Sequence, residues 1–212
     1  MEPARPVPRF TISEAVAYSW NACLRNAGSY LLVSLVVFAG NTVVVLLAAA
    51  NNTAGFQLAF ELFGALIDLL LLLGLIRASL DVVDGAVPRL GTVFRPDGYG
   101  PYLVASIFFL LGTYLGFILL IVPGLVFAVM FQFYGYVVAE HPDVSATAAL
   151  RRSAEITRGA RLRLIGLAVV LVCLNLAGAT LCVVGLIVTY GISALALAYV
   201  YRVLSDRPVA MP

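Results

Sequence analysis

The sequence predicts an all-α fold: a polytopic integral membrane bundle of six transmembrane helices in three hairpins, with two amphipathic interfacial helices. Three observations predict it. The 212-residue chain is 62% hydrophobic and 11% charged, whereas a soluble domain carries about a quarter charged residues. Its mean hydropathy is +1.03. All 13 basic residues are arginine, and they fall into four groups separated by apolar runs. The groups are Arg5, Arg9 and Arg25; Arg77, Arg89 and Arg95; Arg151, Arg152, Arg158, Arg161 and Arg163; and Arg202 and Arg207. The turns near residues 51–56, 122–124 and 178–182 have none. Loops beside spanning helices keep Arg and Lys on the cytoplasmic side. The pattern therefore predicts both termini on that side, in the membrane of a cell.

Each element follows in order. Residues 1–10 are rich in Pro and Arg and read as disordered. Thr11 and Glu14 form a capping box opening an amphipathic helix over about 12–27. Ile12, Ala15, Val16, Ser19, Cys23 and Ala27 share one face of it, and Trp20 flanks them. Spans are expected over 28–50 and 57–79, the second running on toward a stop at Gly85. Asn51-Asn52-Thr53 between them is formally a glycosylation sequon, but a short turn against the membrane is a poor acceptor. The stretch 85–101 is a Gly- and Pro-rich loop with a short turn around Leu90–Phe94.

From Pro101 to Ala139 no residue is charged. As one helix this run would reach about 58 Å, nearly twice the hydrocarbon thickness. A type II turn at Pro123-Gly124 divides it into spans 101–121 and 124–139. Without a reversal there, the arginines of 151–163 would land on the opposite side from the others. A second amphipathic helix is expected over 144–158, with Asp143 as N-cap and Gly159 as stop. Spans 162–180 and 183–204 complete the bundle, and 205–212 is a tail. Gly28-Ser-Tyr-Leu-Leu-Val-Ser34 and Gly100-Pro-Tyr-Leu-Val-Ala-Ser106 suggest an internal repeat.

Few residues offer chemistry. Glu61 and Asp68 are the acidic residues expected inside the hydrocarbon, two helical turns apart on one face. A charged Asp at that depth costs about 3 kcal/mol on insertion scales, so a site for a proton or cation is one reading. The other is packing against Asn41, Gln132, Asn175 or tyrosines of neighbouring spans. Arg77 and Asp81 stand at i, i+4 and suggest a local ion pair. Arg151, Arg152, Arg158, Arg161 and Arg163 could hold anionic lipid headgroups or simply set topology. Gly112 and Gly116 form a GxxxG suited to close helix packing. His141 has no Cys or carboxylate at ligand spacing, and Cys23, Cys173 and Cys182 form no CxxC pair. No metal or cofactor is expected. A net charge of +2 argues for no nucleic-acid partner.

At Tyr18-Ser19-Trp20, Leu24-Arg25-Asn26, Val122-Pro123-Gly124 and Ala149-Leu150-Arg151-Arg152-Ser153, continuing through Thr157-Arg158-Gly159, the chain resembles a group of uncharacterised bacterial six-span proteins. These include the YciC-like family and the membrane domain that accompanies some glycerophosphodiester phosphodiesterases. The resemblance implies a bacterial inner-membrane location and supplies no catalytic residues. The expected function is non-enzymatic, in envelope or lipid homeostasis or as a partner of another membrane protein or a second copy. The alternative is a small proton- or cation-coupled transporter or channel using Glu61 and Asp68.

Overall fold

The computed structural model describes residues 10–49, 54–180 and 182–211; the side chains of residues 48, 54–61 and 182–184 also lie outside the described set. The expected disorder of 1–9, the Asn51–Thr53 turn with its sequon and the side chains of Glu61 and Cys182 therefore lie outside the described residues. Phe10, which falls in the segment expected to be disordered, is buried in the core.

The described residues form ten helices and no strand. Helix α1 (Ile12–Arg25) opens with the expected capping box: the Thr11 side chain accepts from Glu14 N, and Glu14 accepts from Thr11 N. Its buried face is Ala15, Tyr18, Ser19, Ala22 and Cys23. That face meets protein, with Tyr18 stacked on Tyr199 at 4.6 Å. After a break at Asn26 come α2 (Ala27–Ala49) and α3 (Ala54–Val83). Gly85 ends α3 at φ 82°, a left-handed conformation that glycine adopts without steric cost. The short α4 (Leu90–Val93) falls where the turn was expected.

Helices α5 (Tyr99–Leu119) and α6 (Ile121–Phe131) pack as a hairpin, but the reversal differs from the expected one. It is a single extended residue, Leu120 (φ −170°, ψ 152°), and Pro123 and Gly124 belong to the first turn of α6. Pro123 suits that position because N–H groups of a first turn have no intrahelical partner. Gly124 allows the arms to touch: a Cβ on Gly116 would lie 2.8 Å from Gly124 Cα. The GxxxG thus packs α5 on α6.

The fourth apolar run breaks at Gln132–Phe133 and resumes as α7 (Tyr134–Glu140). Helix α8 (Ala146–Ile156) repairs the break. Phe133 N–H donates to Ser153 Oγ at 3.0 Å, Ser153 Oγ donates to Met130 O at 3.1 Å, and Thr157 Oγ1 lies 3.1 Å from the same carbonyl. Buried backbone groups need partners, and two hydroxyls of a neighbouring helix supply them. The N-cap of α8 is Ser145, not Asp143, with Ser145 Oγ accepting from Ala148 N. The expected stop Gly159 has φ 87°.

Helices α9 (Arg161–Thr180) and α10 (Cys182–Leu204) form the last hairpin. Helix α10 is the hub, touching α1, α2, α3 and α9. The suspected repeat occupies equivalent core positions: Tyr30, Val33 and Ser34 are buried on α2, as Tyr102, Ala105 and Ser106 are on α5.

Among the described residues, five helical segments are long and apolar enough to cross a membrane: Ala27–Leu47, Tyr99–Leu119, Ile121–Glu140, Arg161–Thr180 and Gly185–Leu204. They point to a membrane protein. The expected span 57–79 lies within α3, which is not among the five.

Candidate functional site

Three places gather polar side chains. The first is a polar cleft of about 280 Å³ between the ends of α3, α7 and α10 and the loop around α4. Its centre is Arg202, near the end of α10 and almost fully buried. Arg202 pairs with Glu140, which ends α7, and reaches Asp84 just past α3 at 2.6 Å. The Glu140 side chain is 7% exposed and also holds Arg207 at 2.8 Å. Tyr201 donates its hydroxyl to the other Glu140 oxygen at 2.6 Å. Both ions are therefore compensated, the condition under which a buried pair is tolerated. The tail closes the cleft: Ala210 N–H donates to Val83 O at 2.9 Å, and Tyr18 donates to Ala210 O at 3.0 Å. Burial, with lesser contributions from Tyr199 and Asp84, pushes the Tyr18 hydroxyl up to about 12.

Arg77 lines the same cleft, and its expected pairing with Asp81 is not what the fold uses. The guanidinium donates to Arg95 O at 2.8 Å and to Asp97 O, and lies over the Tyr99 ring at 5.5 Å. The loop returning under α3 offers two carbonyls and an aromatic face, a better fit for a planar donor than one neighbour on the same helix. Burial pushes the Asp81 carboxyl up, opposed by a Thr92 hydrogen bond and by Arg95.

The second place is a cavity of about 300 Å³ lined by Val37, Phe38, Asn41, Asp68, Leu69, Leu71, Leu72 and Tyr190, from α2, α3 and α10. Asp68 is half-buried, and its Oδ1 is buried without a hydrogen-bond partner among the described residues. Of the neighbours expected for Asp68, Asn41 and a tyrosine are here. Asn175 instead donates to Leu171 O and Ser193 Oγ, each at 2.8 Å. Gln132 donates to Val129 O at 3.2 Å. Whether Glu61 joins Asp68 lies outside the described residues.

The third place is the outer face of α8. Arg151, Arg152, Arg158 and Arg163 are exposed, and Arg161 is half-buried. Glu155 lies 3.6 Å from Arg151 and 3.9 Å from Arg152; pairs this exposed contribute well under about 1 kcal/mol. Arg151 also edges an apolar groove of about 620 Å³, lined by Phe108, Leu111 and Leu115 of α5, Phe127 and Phe131 of α6, and Leu150 and Ala154 of α8. Of the five arginines, Arg151 borders this groove. No group of three metal-binding side chains occurs among the described residues.

Sequence reasoning missed the Arg202 network. Glu140 precedes Arg202 by 62 residues and Asp84 precedes it by 118. The one local signal is an arginine in the last turn of an apolar helix.

The comparisons place the chain among uncharacterised sequences. It is 28% identical over 233 aligned residues to uncharacterized protein Rv2560 of Mycobacterium tuberculosis, covering 94% of this chain and 70% of that one. Uncharacterized protein Mb2590 of Mycobacterium bovis matches at the same identity and coverage. No solved structure gives a significant match. Neither relative's name carries the YciC-like or phosphodiesterase label. The profile of the Domain of unknown function (DUF7847) matches residues 57–206 of the 212, and the chain belongs to that family.

Proposed function

We propose that the chain is a non-enzymatic integral protein of a bacterial inner membrane that binds anionic lipid through its arginine-rich face. The observation that carries this reading is the apolar groove bordered by Arg151, with Arg152, Arg158 and Arg163 exposed nearby in the chain. A basic residue near a membrane surface attracts anionic lipid by about 1 kcal/mol. The positive-inside rule supports a cytoplasmic position for this face and for both termini. The resemblance to YciC-like and phosphodiesterase-associated membrane domains agrees with a role in envelope or lipid homeostasis, alone or beside another membrane component. Native mass spectrometry of protein released from nanodiscs of mixed phosphatidylglycerol and phosphatidylcholine tests it. Retention of phosphatidylglycerol should fall in Arg151→Gln/Arg152→Gln/Arg158→Gln. Equal retention would overturn the reading.

A second reading rests on Asp68. Its unpartnered oxygen beside Asn41 and Tyr190 in an apolar cavity suits a proton or monovalent-cation site. A flux in proteoliposomes that disappears in Asp68→Asn would favour transport, and an unchanged flux would remove it.

A further inference from the structure

We propose that the α5–α6 hairpin is re-entrant: it enters the bilayer from the arginine-bearing face, turns at Leu120 within the hydrocarbon and returns to the same face. The chain then crosses four times and dips once, and the surface of the hairpin meets the acyl chains of one leaflet. This rests on the membrane reading above and adds to it the depth of one element.

Length is the first support. Met130 is tied to Thr157, four residues before Arg161 opens α9. Met130 is therefore close to the level at which α9 enters the bilayer. The 20 residues of α9 reach about 30 Å, the thickness of the hydrocarbon. From Met130 back to Leu120 the chain rises only about 15 Å at 1.5 Å per residue. The other arm agrees. The groove that Arg151 borders is lined on α5 from Phe108 to Leu115, and from Phe108 to Leu119 is about 17 Å.

Packing is the second support. The remaining lengths of α5 and of the α6–α7 segment are not spare bilayer-crossing length. Tyr102, Ala105 and Ser106 are buried, as are Tyr134 through Val138. The Tyr134 hydroxyl is 2.8 Å from Ser106 Oγ, and the Phe133 ring is 5.8 Å from that of Tyr201. Tyr201 is three residues from the end of α10. These segments thus pack among the residues of the arginine-bearing end.

The chemistry of the tip is the third support. Phe117-Ile-Leu-Leu-Ile-Val-Pro-Gly-Leu125 holds no polar side chain. Leu119, Leu120, Ile121 and Val122 are exposed by 76%, 66%, 73% and 67%. The sequence between α2 and α3 instead holds Asn51, Asn52 and Thr53, and α9 ends on exposed Thr180. A turn left in hydrocarbon must satisfy its own backbone. This one breaks for a single residue: Leu120 N–H donates to Gly116 O at 3.0 Å, Gly124 N–H donates to Leu120 O at 3.3 Å, and Pro123 carries no N–H.

The test uses the full chain with Cys23, Cys173 and Cys182 replaced by alanine. Leu120→Cys, Thr180→Cys and Arg151→Cys are exposed to a membrane-impermeant maleimide in vesicles of both orientations. Arg151→Cys should label from one side and Thr180→Cys from the other. Leu120→Cys should label from neither until detergent is added. Labelling of Leu120→Cys from either side in intact vesicles would overturn the proposal. Failure of the membrane reading looks different: all three positions would label in either orientation. A second arm places Leu120→Trp in a Trp20→Phe background, in phosphatidylcholine brominated at shallow or deep chain positions. Stronger quenching by the deep bromines is expected. Quenching by neither lipid, as for a tip covered by protein, would also overturn the proposal.

Discussion

The hairpins α5–α6 and α9–α10 have similar apolar composition and meet the bilayer differently. In α9–α10 both arms are full length. One arm ends on exposed Thr180, and the other is anchored by Arg202 at the opposite end. Helix α10 packs on α1, α2, α3 and α9 and reaches α7 through Arg202 and Tyr201. In α5–α6 the tip is wholly apolar, and α6 stops after 11 residues, where Ser153 and Thr157 of α8 take over its backbone. Hydropathy reports how much apolar chain is available. What sits at the ends of that chain decides how far it travels.

The comparison can be broken first at the anchor. Glu140→Gln removes the negative charge that Arg202 and Arg207 pair with, and leaves one acceptor oxygen where those arginines and Tyr201 now use two. Loss of one partner of a buried pair costs about 3–5 kcal/mol. Equilibrium unfolding in mixed micelles should report a loss of that order, and a change below about 1 kcal/mol would mean the network is not buried in the bilayer-bound protein. Next come the two tips. Leu120→Asp should impair membrane insertion by about 3 kcal/mol, the cost of an Asp at the bilayer centre, while Thr180→Asp at the far surface should be near neutral. Equal effects in an insertion assay would erase the difference in depth. Smallest is the helix break. Ser153→Ala leaves the Phe133 N–H without its acceptor and should cost about 1–3 kcal/mol. Thermal unfolding that does not change would show that water or lipid supplies the bond.

Much of this architecture is legible from local chemistry. The capping box at Thr11 and Glu14 and the left-handed stops at Gly85 and Gly159 each depend on neighbours a few positions away. The resemblance motif was legible as a pattern without its reason: Ser153 and Thr157 are there to bond the Met130 carbonyl, a contact more than 20 residues distant. Arg77 was assigned to Asp81 because proximity along a helix is all that a sequence displays, whereas the fold brings two loop carbonyls closer. The Glu140–Arg202 pair depends on three helices converging. The sequence predicts a reversal at Pro123-Gly124, whereas the chain reverses at Leu120 and runs both residues into α6, because proline serves a helix start as readily as a turn. Asp68 stands out in the sequence as a carboxylate within an apolar run; its cavity with Asn41 and Tyr190 comes from the meeting of α2, α3 and α10.

The most direct test of the difference in depth is a pair of spin labels, one at Leu120→Cys and one at Thr180→Cys, in vesicles. Collision with oxygen rises toward the bilayer centre, and collision with a water-soluble nickel chelate rises toward its surface. The label at 120 should be rich in oxygen collisions and poor in nickel collisions, and the label at 180 the reverse. Matching surface-type profiles at the two positions would mean that both hairpins cross, and would contradict a half-depth α5–α6.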